Sequence, residues 1–334
     1  MTPKRRIIPV FIPHAGCEHA CVFCDQRRIT GVKDATFDED IIISAESLIP
    51  DGCPAEIAFY GGSFTAIAEE RQNALLTAVQ PFLSKGSARS VRISTRPDCV
   101  DEQTLLRLIG YGVKTVEIGA QSMCEDVLSQ ARRGHTAGDV ARAAGLIKQA
   151  GLSLILQMMT GLPGDDREKS LYTARRFIGL KPDGVRIYPT VVVRGTELYD
   201  MWRSGCYREH TVNEATDLCA ELYVLFEEAG IPVIRLGLNP TEALSAGGAA
   251  AGAYHPAFGE LVYSKMYYDK AAKLLSNVRD GSSVTIVVPK GNSSRMIGQH
   301  RCNIRKLMEE FALGSINVVE TGIRPDEIWI EITS

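Results

Sequence analysis

No stretch of this chain is apolar for long enough to cross a bilayer. A spanning helix needs about 20 consecutive apolar residues, and the longest runs, such as GLSLILQMM at 151–159, stop well short. The start, MTPKRRIIPVFIPHAG, has a basic head, but Pro9 and Pro13 break its apolar part. A cleaved signal peptide is therefore not expected, and a cytoplasmic location is. Net charge is nearly absent too: 37 Lys and Arg face 40 Asp and Glu, for a balance of -3. Such a chain has no global attraction for nucleic acid or an anionic membrane, so any such contact needs a local patch. A disulfide framework is also missing. The nine cysteines are odd in number, and six of them, Cys53, Cys99, Cys124, Cys206, Cys219 and Cys302, are scattered without paired spacing, which speaks against disulfides and against a second metal cluster.

What is present begins with the other three. Cys17, Cys21 and Cys24 fall within eight residues, CEHACVFC. In a reducing compartment a tight cysteine group points to a metal, and two readings stand side by side. Tetrahedral zinc would take a fourth ligand, with His14 or His19 on offer. Three thiolates on a 4Fe-4S cluster would leave one iron free to bind something else.

At 334 residues and 45% hydrophobic, the chain can build one large core, or a main domain with a small appendage. Six β-rich runs alternate with helical patterns. The runs are RIIPVFI before the triplet, EIAFY at 56–60, VRIS at 91–94, TVEIG at 115–119, SLILQMM at 153–159 and GVRIYP at 184–189. Helices are expected over about 38–49, 68–84, 101–111, 136–150 and 166–180, several opened by Asp or Thr and closed by Gly. Hydrophobic strands alternating with helices imply a parallel sheet covered on both faces. The expected fold is α/β, a β/α barrel, open or closed. Ligands bind at the carboxyl ends of such strands, where the cysteine loop, YGGSFT, STRPD, GAQS, TGLPGD and YPTVVVRG all fall.

These blocks carry a resemblance. Cys17-x3-Cys21-x2-Cys24, with Phe23 before the last cysteine, is similar to the cluster loop of radical S-adenosylmethionine (SAM) enzymes. YGGSFT, ISTRPD, EIGAQS, RRGHT, MMTGLPGD and KPDGVRIYPTVVVRGTELYDMWRSGCY resemble successive blocks of the catalytic subunit of Elongator, over roughly residues 12–207. The resemblance implies a partial (β/α)6 barrel of the radical SAM type, with a 4Fe-4S cluster on the three cysteines and SAM on the free iron. One-electron cleavage of SAM would then release a 5′-deoxyadenosyl radical. For the cofactor it implies Phe23, Tyr60, Gly61, Gly62 and Ser63, with Ser94 and Arg96 at the third strand. Gln121 matches a residue on the ribose, and Arg133 one that reaches the carboxylate. Gln157 stands four residues before Gly161, where the coproporphyrinogen oxidases carry an acidic residue; an amide can also bond a hydroxyl. Glu117, on a barrel strand, is expected as a buried partner of Arg92 or Arg96, because an unpaired inward carboxylate is costly. Tyr188 and Arg194 match the Elongator block at the barrel mouth, which makes Tyr188 a catalytic candidate. The roughly 130 residues after the core show no acetyl-coenzyme A signature, so acetyl-dependent chemistry is not expected to carry over.

Beyond the core, NEATDLCAELYVLFEEAG reads as an amphipathic helix, followed by the short run VIRLGL and a Gly- and Ala-rich loop packed near the barrel. His255, in AYHPAF, is the second catalytic candidate, since an imidazole transfers protons near neutral pH. The expected domains are a core barrel over 1–210, a helical and loop extension over 211–280, and a small α+β domain over 281–334. In that last segment the window 281–308 holds no Asp or Glu at all, and its order of strand, helix, turn, helix, strand, strand resembles a KH-type RNA-binding module. IGQHRCNI stands where that fold keeps IGxxGxxI, with Arg301 at the second glycine. Lys290, Arg295, Gln299, His300, Arg301 and Arg305, with Lys306 beside them, are the candidate RNA contacts. Together these readings point to a radical SAM enzyme acting on a base of tRNA or rRNA. It would be a transferase or oxidoreductase, served by an electron donor such as flavodoxin or ferredoxin. A coproporphyrinogen-oxidase-like enzyme on a porphyrin or small molecule is the alternative.

Overall fold

The computed structural model describes residues 6–12, 16–17, 21–25, 55–242, 244–322, 324 and 327–333. The helix expected over 38–49, together with His14, His19 and Cys53, lies outside the described residues. The chain divides into two compact units, Met1–Ala215 with Leu222–Pro256, and Thr216–Glu221 with Ala257–Ser334. The segment 211–280, expected as one extension, is divided between them.

In the first unit all six expected strands form. They are β1 (Ile7–Phe11), β2 (Ala55–Tyr60), β3 (Ala88–Thr95), β4 (Val113–Gln121), β5 (Ser153–Thr160) and β6 (Gly184–Pro189). A short β7 (Val191–Val193) follows, then β8 (Val233–Leu236) and β9 (Ala249–Gly252). The main sheet runs in the order β1-β2-β3-β4-β5-β6-β8, all parallel. Its seventh strand is the VIRLGL run, too short and too isolated in the sequence to be counted with the others. β7 pairs antiparallel with β9.

The strand residues sort by parity. Val91 and Ile93, Val116 and Ile118, Leu154 and Leu156, Val185 and Ile187 are all buried on one face, where the helices cover them. The intervening positions, Arg92, Glu117, Gln157, Arg186 and Tyr188, turn to the lumen. Helix starts are fixed by caps: Asp101 accepts from the Thr104 N–H, Asp166 from Lys169, and Thr136 forms a capping box with Asp139. The helix expected over 68–84 is two, Glu69–Ala78 and Gln80–Ser84. Pro81 is tolerated in the first turn of a new helix but would break the interior of a continuous one.

The second unit is small. The helix Phe258–Leu275 and the helices Ser293–Ile297 and Cys302–Glu310 accompany β10 (Ser283–Pro289), β11 (Ser315–Thr321) and β12 (Trp329–Thr333). β10 is central, parallel to β11 and antiparallel to β12. Val284, Ile286 and Val288 pack with Leu275, Met296, Ile304 and Leu307 in one core. No helix among the described residues is long and apolar enough to cross a membrane.

Candidate active site

The cysteine loop is held from below. Val22 and Phe23 are buried with Val127, Ala131, Leu162, Val192, Leu198 and Tyr207. The Val22 N–H donates to the Ala131 carbonyl at 3.3 Å, and the Leu198 N–H to the Val22 carbonyl at 2.7 Å. The two apolar residues between the second and third cysteines thus anchor the loop, and a turn closed by Cys24 N–H on the Cys21 carbonyl (3.1 Å) lies over them. Before the loop, Gly16 adopts φ +71, and a Cβ there would lie 2.3 Å from the Ser63 carbonyl oxygen. Only glycine lets the chain turn so close to YGGSFT.

One cavity of about 510 Å³ gathers most of the expected residues. Cys17, Cys21, Cys24 and Phe23 line it from the loop, Tyr60, Gly61 and Gly62 from the end of β2, Ser94 from β3 and Arg96 from just beyond that strand. Gln121, Arg133, Gln157 and Tyr188 complete the set. Gln121 is a non-glycine residue at φ +66, a conformation that costs energy and is retained where a site needs it. Its Oε1 accepts from Gln157 Nε2 at 3.3 Å. Gly119 makes room for this pair: a Cβ there would sit 3.1 Å from Gln121 Nε2 and 3.5 Å from Arg133 Nη2.

Cations ring the thiols. Arg133 Nη1 donates to Cys21 Sγ at 3.1 Å. Burial, then the neighbouring Cys21, pushes the Cys17 thiol up, while Arg133 and Arg96 pull it the other way. Arg96 itself is paired with Asp98, through Nε at 3.0 Å and Nη2 at 2.8 Å. Among the described residues no three His, Cys, Asp or Glu side chains converge tightly enough to hold a single ion. Three thiolates that each take a different iron need no such convergence. The three thiols and the guanidiniums beside them are a suitable donor set for an anionic iron-sulfur cluster.

Below this layer lies a buried charge network. Arg92 donates to Glu56 Oε2 through Nε at 2.8 Å and to Glu117 Oε1 through Nη1 at 2.5 Å. The same Glu117 oxygen accepts from Arg186 Nη2 at 2.8 Å and from the Tyr60 hydroxyl at 3.0 Å. Glu117 is therefore a partner of Arg92, as expected, and not of Arg96. Arg186 was not singled out in the sequence. It stands two residues before Tyr188 on a strand whose alternate positions face the lumen, and that parity was the available signal. Two carboxylates and two guanidiniums balance, so the network carries no surplus charge. Burial and then the Glu117 charge push the Tyr60 hydroxyl far up, which keeps it protonated.

Some expected residues stand elsewhere. Ser63 is fully buried and is not on the cavity wall. Its Oγ lies 3.0 Å from Thr95 Oγ1 and accepts from the Arg96 N–H at 3.2 Å, tying the Gly-Gly turn to the next strand. His255 does not line the cavity. Arg194 is exposed, just beyond cavity-lining Val193, with Nε donating to the Gly247 carbonyl at 2.9 Å. In the second unit Lys290, Gln299, His300, Arg301, Arg305 and Lys306 are exposed. Arg295 is instead bound to Glu260 by two bonds of 2.9 and 2.8 Å and stacked 4.2 Å from the centre of the Tyr263 ring. The acid-free window did not reveal this pairing because Glu260 comes from another helix. His300 and Arg301 hold φ +50 and +59, so the turn that leads into the helix Cys302–Glu310 is left-handed at two non-glycine residues.

Two family models match the chain: the radical SAM superfamily over residues 11–176 and the radical SAM C-terminal domain over residues 182–268. The tRNA uridine(34) acetyltransferase of Methanocaldococcus jannaschii is 36% identical over 255 residues, 64% of this chain and 47% of the relative. Human Elongator complex protein 3 is 33% identical over 190 residues, 51% of this chain and 35% of the relative. The chain thus spans about half or less of the length of these curated relatives. An archaeal Elp3 from Methanocaldococcus infernus with its N-terminus deleted matches in structure with a TM-score of 0.62 at 24% identity, covering 79% of this chain and 63% of that one. Coproporphyrinogen III oxidase from Escherichia coli, a radical SAM enzyme, matches at 0.51 and 18%, covering 68% and 54%. Both structural likenesses are of fold. With the matched models taking in most of the chain, and the cysteine loop and Gly-Gly turn meeting in one cavity of a parallel half-barrel, the chain belongs to the radical SAM superfamily.

Proposed function

We propose that this radical SAM enzyme modifies a base of an RNA, with transfer RNA as the substrate. The observation that carries the reading is a cavity lined by the three thiols and by the polar side chains of Glu117, Arg186 and Tyr188, with a volume in the range of ligand sites. Enzymes of this superfamily use a 4Fe-4S cluster and SAM. Cys17, Cys21 and Cys24 would hold the cluster, which when bound supplies the electron that cleaves SAM to a 5′-deoxyadenosyl radical.

The chain's own residues then do the rest. Gly61 and Gly62 present backbone without side chains to the cofactor's methionine end, and the Gln121–Gln157 pair offers amides to its ribose. Val22 and Phe23 close the base of the loop against water. Tyr188, on the same wall as Arg186, meets the substrate, and Arg186 and Glu117 present a donor and an acceptor to the edge of a base drawn out of its stack. The exposed Arg301, Arg305, Lys306 and Lys290 supply phosphate contacts. A small electron-transfer protein such as flavodoxin or ferredoxin delivers the electron. The M. jannaschii relative, named for its action on a tRNA uridine, supports the choice of RNA over a porphyrin; the coproporphyrinogen oxidase likeness is of fold alone.

The test is anaerobic reconstitution with iron and sulfide, reduction, and measurement of 5′-deoxyadenosine with SAM and bulk tRNA, using Cys21→Ala as control. Product that requires Cys21 and rises with tRNA is expected. Product stimulated by coproporphyrinogen but not by tRNA would overturn the RNA reading, and none at all would overturn the radical one.

A further inference from the structure

One guanidinium in the cavity is gripped by the protein on two sides. Arg133 is 7% exposed. Its Nη1 donates to Cys21 Sγ at 3.1 Å, its Nη2 donates to the Gly119 carbonyl on β4 at 2.6 Å, and its Nε is buried with no partner. The position is fixed by the backbone. Arg133 N–H closes a turn on the Leu128 carbonyl at 3.0 Å, and Ala131, two residues earlier, accepts from Val22, the neighbour of Cys21. One short segment thus holds both the cysteine loop and the Arg133 backbone, while burial and the bond to the Gly119 carbonyl hold the guanidinium beside Cys21.

We infer that Arg133 is a positioning residue for the cluster itself, which raises its reduction potential by donating a charged hydrogen bond to the Cys21 sulfur. The resemblance to radical SAM enzymes implies only a contact from this arginine to the SAM carboxylate. One-electron reduction adds a negative charge that is shared onto the cysteine sulfurs. A buried cation bonded to one of those sulfurs stabilises the reduced form more than the oxidised form, and hydrogen bonds to sulfur are among the factors that set such potentials. Lysine keeps the charge but is a point donor. It cannot bridge the Gly119 carbonyl and the Cys21 sulfur with two fixed arms as the guanidinium does.

The inference rests on the reading that the triplet holds the cluster, and not on any RNA. The test uses the full-length chain reconstituted without oxygen, as wild type, Arg133→Gln and Arg133→Lys. The reduced fraction is followed by electron paramagnetic resonance against a series of redox poises, and SAM affinity by its perturbation of the same signal. At the poise where wild type is half reduced, Arg133→Gln is expected to be reduced about threefold less or lower, with Arg133→Lys between the two. An unchanged potential in Arg133→Gln, with SAM affinity lower by about tenfold, would overturn the inference and leave a carboxylate contact alone. If Arg133→Gln takes up no iron, Arg133→Lys decides: a more negative potential supports the role, and a wild-type potential defeats it. Wild type without a cluster would sink the underlying reading as well, and is recognised separately by its iron content.

Discussion

Arg186 on β6 donates to Glu117 on β4 at 2.8 Å, and the carboxylate oxygen that receives it also receives Arg92 from β3 at 2.5 Å. Since the Tyr60 hydroxyl of β2 donates to it as well, one buried carboxylate ties four strands through the lumen, with Glu56 completing the balance at 2.8 Å from Arg92. Removing one member of such a set leaves a buried charge without compensation, which costs about 3–5 kcal/mol. Glu117→Gln should lower unfolding stability by that order in urea. Glu117→Gln combined with Arg186→Gln restores neutrality and should recover much of the loss; a double variant as unstable as the single one would show that the network is not coupled in this way.

Gly16 determines whether the cysteine loop can form. A methyl group at φ +71, 2.3 Å from the Ser63 carbonyl, forces either the loop or the Gly-Gly turn to move. Gly16→Ala should take up severalfold less iron on reconstitution while its far-ultraviolet circular dichroism stays that of wild type. Wild-type iron content in this variant would show that the loop tolerates the shift.

His135 gives the barrel a pH dependence of known sign. The ring is buried, with Nε2 3.2 Å from the Ala120 carbonyl, and burial, then the Arg133 charge, lowers its pKa to about 4. An unfolded histidine titrates near 6.5, so the unfolded state takes up the proton first. Stability from this group is complete above about pH 6.5 and is lost as pH falls toward about 4, a change of about 3 kcal/mol. His135→Gln should flatten the stability profile between those pH values. A profile as steep as that of wild type would assign the slope to other groups.

Arginines in the small unit should fall into two classes. Arg301→Glu with Arg305→Glu is expected to weaken binding of tRNA about tenfold or more at low salt, and to reduce the salt slope by about two. Arg295 is committed to Glu260 and Tyr263, so Arg295→Ala should act on the thermal stability of the unit and leave the salt slope unchanged. Equal effects of the two changes on the salt slope would contradict this division.

Much was legible in the sequence because it is local. Strand and helix positions followed from hydrophobic period and caps, since Asp101, Thr136 and Asp166 satisfy amide groups only three residues away. The cysteine loop and the Gly-Gly turn were readable because their chemistry lies in their spacing. The motifs at the strand ends could be assigned to one cavity because a parallel sheet presents all its carboxyl ends on the same side.

What tertiary structure alone decided concerns partners distant in sequence. Arg186 meets Glu117 across 69 positions and Arg133 meets Cys21 across 112, and no spacing rule encodes either pair. Ser63 left the list of cavity residues because its hydroxyl is used by Thr95 and Arg96, and Arg295 left the free cations because Glu260 is folded beside it. Chain order and residue type set which groups carry charge, thiol or amide and which element each one sits on. Folding decided which of those groups neutralise one another and which are left facing the cavity, because electrostatic and hydrogen-bond energies depend on distance in space, and the chain order leaves that distance open.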